Sequence, residues 1–139
     1  DMDYSSNGAG PWSSIYRVIA ITNIVINADT STLTGSAAQI THIQGQAHAL
    51  RALAHFDLLQ DYGQHFIDGQ GGASSLGVPY VKTYKDADYL EPERGTVGSN
   101  IGDIAADFDF WHLSRLAQNY KLHFGELPSE TRKNLRVPA

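Results

Sequence analysis

The sequence predicts an all-α fold: stacked helices interrupted by one long irregular connection. Three observations carry this. The run Gly45–Gly63 is rich in alanine and apolar on two sides, so it needs neighbours rather than one buried face. Two further segments, from Pro11 and from Thr96, repeat apolar residues at helical spacing. Between the second and third helices, residues 64–95 carry Gly and Pro and show no clear period.

The first helix follows Gly8-Ala-Gly-Pro11, where proline suits the opening turn. Trp12, Ile15, Tyr16, Ile19, Asn23 and Ile26 fall on one face, and the helix is expected to end near Asn27. The second helix opens at Ser36-Ala-Ala-Gln39, which has capping-box spacing, and runs to about Tyr62. Gly63 is its expected C-terminal stop. Gly45 in its interior costs about 1 kcal/mol relative to alanine and implies a closely approaching neighbour.

The connection holds a glycine-rich stretch, 68–75, and the extended segment Gly77-Val-Pro-Tyr-Val81, since Pro79 disfavours helix before it. A connection this long is usually functional. The third helix begins near Thr96–Ser99, with Ile101, Ile104, Ala105, Phe108 and Trp111 as its expected apolar face. It fades around Tyr120 and breaks at Phe124-Gly-Glu-Leu-Pro128. The end at Val137-Pro-Ala139 reads as a fragment boundary.

In projection the second helix separates into four stripes. Ile40, Ile43, Ala47, Leu50, Ala54 and Leu58 form one apolar stripe; Ala49, Ala52, Leu53, Phe56 and Leu59 form another. Gln39, His42, Gln46, Asp57 and Asp61 are expected in solvent. His48, Arg51, His55 and Tyr62 lie in the narrow gap between the apolar stripes and are expected to be partly buried. A buried Arg51 requires a partner, and Asn23 and Asp107 are the candidates for a structural pin.

Composition excludes several function classes. The 139 residues suffice for one domain with a core, and their net charge of −5 argues against a nucleic-acid partner. There is no cysteine, hence no disulfide or thiolate metal site. No apolar run reaches membrane-spanning length, and Asp1-Met-Asp-Tyr4 has no signal-peptide character. His48 and His55 lie two turns apart, about 10 Å, too far to share one ion, and no HExxH occurs. The pairs Asp57/Asp61 and Asp103/Asp107 lie on helix faces without a cleft, so neither argues for glycoside hydrolysis. Asp86, Asp88, Glu91 and Glu93 lack the glycine and spacing of a calcium loop. No catalytic residue, metal, cofactor or enzyme substrate is expected.

The order of motifs resembles the SusD/RagB family of outer-membrane nutrient-binding lipoproteins. The matching pieces are Trp12, Tyr16 and Asn23; Gln46-Ala47 and Leu50-Arg-Ala52; Phe56-Asp-Leu58 and Tyr62-Gly63; Gly77-Val-Pro79; Arg94-Gly-Thr-Val97; and Ile104 with Asp107-Phe108. The family often has Glu in place of Gln46 and Tyr in place of Ile101, and residues after 111 match poorly. The resemblance implies that residues 1–139 are the N-terminal helical portion of a longer protein, with antiparallel helix pairs of tetratricopeptide-repeat-like type and a long loop over 64–95. It implies non-catalytic capture of an oligosaccharide or other nutrient at the cell surface, for delivery to a SusC-like TonB-dependent transporter. A lipid anchor in the outer membrane, outside this chain, is implied as well. A helical-repeat interaction module without its own ligand is the alternative.

Sugars are held by flat aromatic faces together with side-chain acceptors. Tyr80, Tyr84, Asp88 and Tyr89 in the long connection are therefore the expected ligand-binding residues.

Overall fold

The computed structural model describes residues 9–64, 72–85 and 91–124. Three helices dominate: α1 (Ala9–Ile26), α2 (Ala37–Tyr62) and α3 (Val97–Phe124). Single 3-10 turns at Thr30–Thr32 and Gly72–Ser74 punctuate the connections. Among the described residues, β structure is limited to one antiparallel bridge between Leu76 and Thr96, so the fold is all-α. No described helix is long and apolar enough to cross a membrane.

The helix starts follow from local chemistry. At α2, the Ser36 hydroxyl accepts from the Gln39 N–H while Gln39 Oε1 accepts from the Ser36 N–H, which completes the expected capping box. At α3, Thr96 and Ser99 make the same reciprocal pair through Thr96 Oγ1 and Ser99 Oγ. Gly63 ends α2 for a different reason from the expected one. Its backbone is extended rather than left-handed, and its N–H reaches the Leu59 carbonyl. A Cβ there would press on the Leu59 carbonyl oxygen and side chain, so close approach demands the glycine.

Neighbouring helices run antiparallel. Trp12 meets Tyr62 at one end of α1, and Gln44 bonds the Ile26 carbonyl at the other. Arg94, just before α3, bonds the Tyr62 carbonyl, whereas His48 reaches Asp107 and Phe110. Both α1 and α3 therefore pack on the Arg51 side of α2.

This arrangement refines the two-stripe expectation. Gly45, Ala47, Arg51, Ala52, Ala54, His55 and Leu58 are buried. Ile43, Leu50, Leu53 and Phe56, the outer members of the two stripes, remain exposed beside Gln46 and Asp57. Two neighbours flanking the gap cover the inner edge of each stripe and leave the outer edges open.

The α3 face differs more. Among its described side chains the buried ones are Val97, Asn100, Ile104 and Asp107, while Ile101 and Phe108 face outward. Of the expected apolar face Ile104 is buried and Ala105 exposed, and the Trp111 side chain lies outside the described ones; half of the buried positions are polar, which apolar periodicity does not reveal.

The core is small and aromatic-edged: Ile19, Ala54, Leu58 and Val78, with Trp12, Ile15, Tyr16, Leu59, Tyr62 and Val81 against them. Val78 belongs to the long connection. Residues 75–78 run antiparallel to 95–97, through Gly77 N–H to Gly95 O (2.8 Å) and Val97 N–H to Ser75 O (2.8 Å). A Cβ on Gly77 would overlap Asn100 Oδ1 and the Thr96 carbonyl, which explains the glycine.

Candidate functional site

Residues 77–83 form an extended strap held by side chains from all three helices. Tyr16 donates to the Pro79 carbonyl (2.7 Å). Asn23 Nδ2 donates to the Val81 and Thr83 carbonyls (3.0 and 3.3 Å), and Asn27 to that of Lys82 (2.9 Å). From α3, Asn100 accepts from the Val78 N–H (2.8 Å) and donates to the Val78 carbonyl (3.0 Å), imitating a strand partner. From α2, His55 Nε2 accepts the Val81 N–H (3.1 Å). Most of the strap's carbonyls, and the N–H groups of Val78 and Val81, thus find side-chain partners in place of a sheet.

Beneath the strap lies a buried polar hub. Arg51 donates through Nε to Asp107 Oδ2 (2.8 Å), through Nη2 to Asp107 Oδ1 (2.7 Å) and through Nη1 to Asn23 Oδ1 (2.9 Å). His48 Nδ1 lies 2.7 Å from Asp107 Oδ1, and the Tyr80 hydroxyl donates to Asp107 Oδ2 at 2.5 Å. The structure thus brings Asn23, Arg51 and Asp107 into direct contact, one from each helix. Burial alone would raise the Asp107 pKa. Hydrogen bonds from Arg51, Tyr80 and His48 outweigh it and hold the carboxyl below its usual range.

His55 completes the hub. Its Nδ1 faces the Arg51 carbonyl at 2.9 Å, which can only accept, so Nδ1 carries the hydrogen and Nε2 is the acceptor for Val81. The ring stacks on Tyr80 with centroids 3.8 Å apart and planes 15° apart. Burial pushes its pKa down to about 4, so the ring is neutral at pH 7. Burial also pushes the Tyr80 hydroxyl well above the ordinary tyrosine value, and the Asp107 bond adds to this.

Of the expected ligand-binding residues, Tyr80 is largely committed: its hydroxyl serves Asp107 and one ring face serves His55. Tyr84 is exposed, with Lys85 Nζ 5.4 Å from its ring centroid. Lys85 has a left-handed φ of 52°, uncommon for a non-glycine residue, and so turns the chain directly after Tyr84. Asp88 and Tyr89 lie outside the described residues.

Two hollows flank the strap. One, of about 580 Å³, is bounded by Tyr80 to Thr83, by Glu91, Pro92 and Glu93, and by Asp103. The other, of about 410 Å³, is bounded by Asn23, Ile24, Asn27, Thr83 and Tyr84. Lys82 ion-pairs with Asp103 (2.7 Å), so Asp103 and Asp107 each serve a different cation. Among the described residues, no three His, Asp or Glu side chains converge to hold a metal.

Tyr16, Asn27, His55 and Asn100 carry the strap but were not singled out from the sequence for that task. Asn23 and Asn27, one helical turn apart, were the available signal. Asn100 offers a weaker one, as an amide beside the apolar positions of α3.

The family profile described as starch-binding associating with outer membrane, the SusD-like type, matches residues 3–113. The chain belongs to the SusD-like family. A crystal structure from Bacteroides vulgatus, of a protein provisionally described as sugar-binding, is 31% identical and superposes with a TM-score of 0.59. That likeness covers 73% of this SusD-like chain and 22% of the other. A SusD superfamily protein from Bacteroides thetaiotaomicron is 28% identical with a TM-score of 0.59, over 70% of this chain and 21% of its own. The SusD-like chain therefore spans about a fifth of the length of these solved relatives. A 32-residue stretch, 23% of the chain, is 56% identical to the XylDLEGF operon transcriptional activator of Pseudomonas putida, of which it makes up 10%.

Proposed function

We propose that this SusD-like chain supplies helical scaffold and part of the ligand surface of a non-catalytic protein that captures oligosaccharide at the outer membrane. The captured glycan is delivered to a SusC-like TonB-dependent transporter. The strap is the observation that carries this reading. It leads into Tyr84, which lines one hollow together with Asn23 and Asn27, and it borders a larger hollow lined by Tyr80 and three carboxylates. Rings and amide or carboxylate acceptors on a rigid support suit a polyhydroxylated ligand. The family profile and the sugar-binding description of a solved relative support the same class. Asp103 and Asp107, already engaged by Lys82 and Arg51, do not form a hydrolytic pair.

Full-length protein titrated with an oligosaccharide panel, read by calorimetry, tests capture. Tyr84→Ala is expected to weaken binding by about fivefold, equivalent to about 1 kcal/mol of lost ring contact. No binding to any oligosaccharide would sink the reading; undiminished binding by Tyr84→Ala would move the site off the strap. Co-purification with a SusC-like transporter tests delivery.

A second reading is confined to residues 112–139. They carry five Lys/Arg against two Asp/Glu, whereas residues 1–111 carry five against thirteen. The whole-chain charge conceals this reversal, which begins where the family match ends. The reversal supports contact between this basic segment and nucleic acid. Anisotropy of labelled duplex DNA should then show binding that weakens steeply with salt and is lost when Arg132, Lys133 and Arg136 become Gln. Absence of binding at low salt refutes it.

A further inference from the structure

We infer that the larger hollow beside the strap selects against anionic saccharides and takes a neutral or amino-bearing sugar unit. This inference rests on the capture reading and specifies the ligand of that site. The hollow offers about 580 Å³ between the strap, Glu91 to Glu93, and Asp103 of α3. Its lining includes one cation, Lys82, and that charge is already engaged: Nζ sits 2.7 Å from Asp103 Oδ1 and 5.6 Å from the Tyr80 ring centroid.

Glu91 and Glu93 are exposed and make no ion pair among the described residues. The nearest other cations in sequence are directed elsewhere. Arg94 is bonded to the carbonyls of Gly77 and Tyr62, and Lys85 lies over Tyr84 in the region of the other hollow. The lining therefore holds three carboxylates against one paired ammonium.

A uronate or sulfated sugar entering here would meet two uncompensated carboxylates and, among the described residues, no vacant cation in the lining. Like charges at such range disfavour the complex. Ionised carboxylates accept hydrogen bonds and donate none, so they suit sugar hydroxyls or an ammonium, both donors. Val81 and Pro92 supply apolar edges for the C–H faces of a sugar ring.

The test uses full-length protein and oligomers of equal length from a neutral hexose, an amino hexose and a uronic acid. Calorimetry at low ionic strength should show the uronate binding at least about tenfold more weakly than the neutral oligomer. The double variant Glu91→Gln/Glu93→Gln should narrow the gap to about twofold, as should 0.5 M salt, which shortens the screening length to a few ångströms. Both positions are exposed, and an unchanged melting temperature verifies the fold. Uronate binding as tight as neutral binding overturns the inference while leaving capture intact. So does a gap that persists in the double variant. No binding by any of the three oligomers, or by a wider panel, overturns the capture reading and this inference with it.

Discussion

Exchanging Arg51 for alanine is expected to lower the unfolding free energy by about 3–5 kcal/mol, the range for breaking a buried ion pair from one side. Three donors of one guanidinium serve two partners on different helices: both Asp107 oxygens and Asn23 Oδ1. Removal leaves Asp107, a buried carboxylate, with only His48 and Tyr80, and leaves the Asn23 carbonyl oxygen without its donor. Lysine should not rescue, because a single ammonium cannot span the same fork geometry. Urea unfolding of wild type, Arg51→Ala and Arg51→Lys measures this. A loss below about 1 kcal/mol in Arg51→Ala would mean that the hub does not hold the helices together.

Acid should destabilise the fold well before its carboxylates protonate. His55 is held at about 4, against an ordinary value of 6.5. Between those values the unfolded chain takes up a proton that the folded chain refuses, so stability falls as pH falls. The loss begins near pH 6.5 and reaches about 3 kcal/mol near pH 4, where the folded ring also protonates. The refusal is geometric as well as dielectric: a protonated Nε2 could no longer accept the Val81 N–H. Asp107 acts in a lower window with the same sign. Its depressed folded value adds stability above about 3.8, lost as pH falls through that folded value. Urea midpoints at pH 7, 5.5 and 4 should decline in wild type, and His55→Gln should flatten most of that slope. A flat wild-type profile would contradict the buried neutral imidazole.

Much of this was legible in the chain because helices write themselves periodically. Ser36 and Gln39 announced the start of α2, and the Trp12–Asn23 face of α1 is the one that packs. Arg51 could be read as a pin because a charged residue between two apolar stripes has to find partners. Asn23 and Asp107 lay on the helices that supply them. The strap was less legible because it is bonded through its main chain, and backbone carbonyls leave no residue pattern. Tyr80 illustrates the difficulty. A tyrosine in a long connection reads as a ligand contact, yet much of its ring and hydroxyl is spent on His55 and Asp107. The buried face of α3 was hidden because Asn100 and Asp107 occupy positions where an apolar repeat would be sought.

The way the strap is fastened has an evolutionary consequence. Tyr16, Asn23, Asn27 and Asn100 grip peptide groups and are indifferent to which side chains those peptides carry. Lys82, Thr83 and Tyr84 can therefore be exchanged with little effect on anchorage, whereas the gripping residues cannot. A lineage could rewrite the displayed side chains in a few substitutions, leaving the mount that aims them in place.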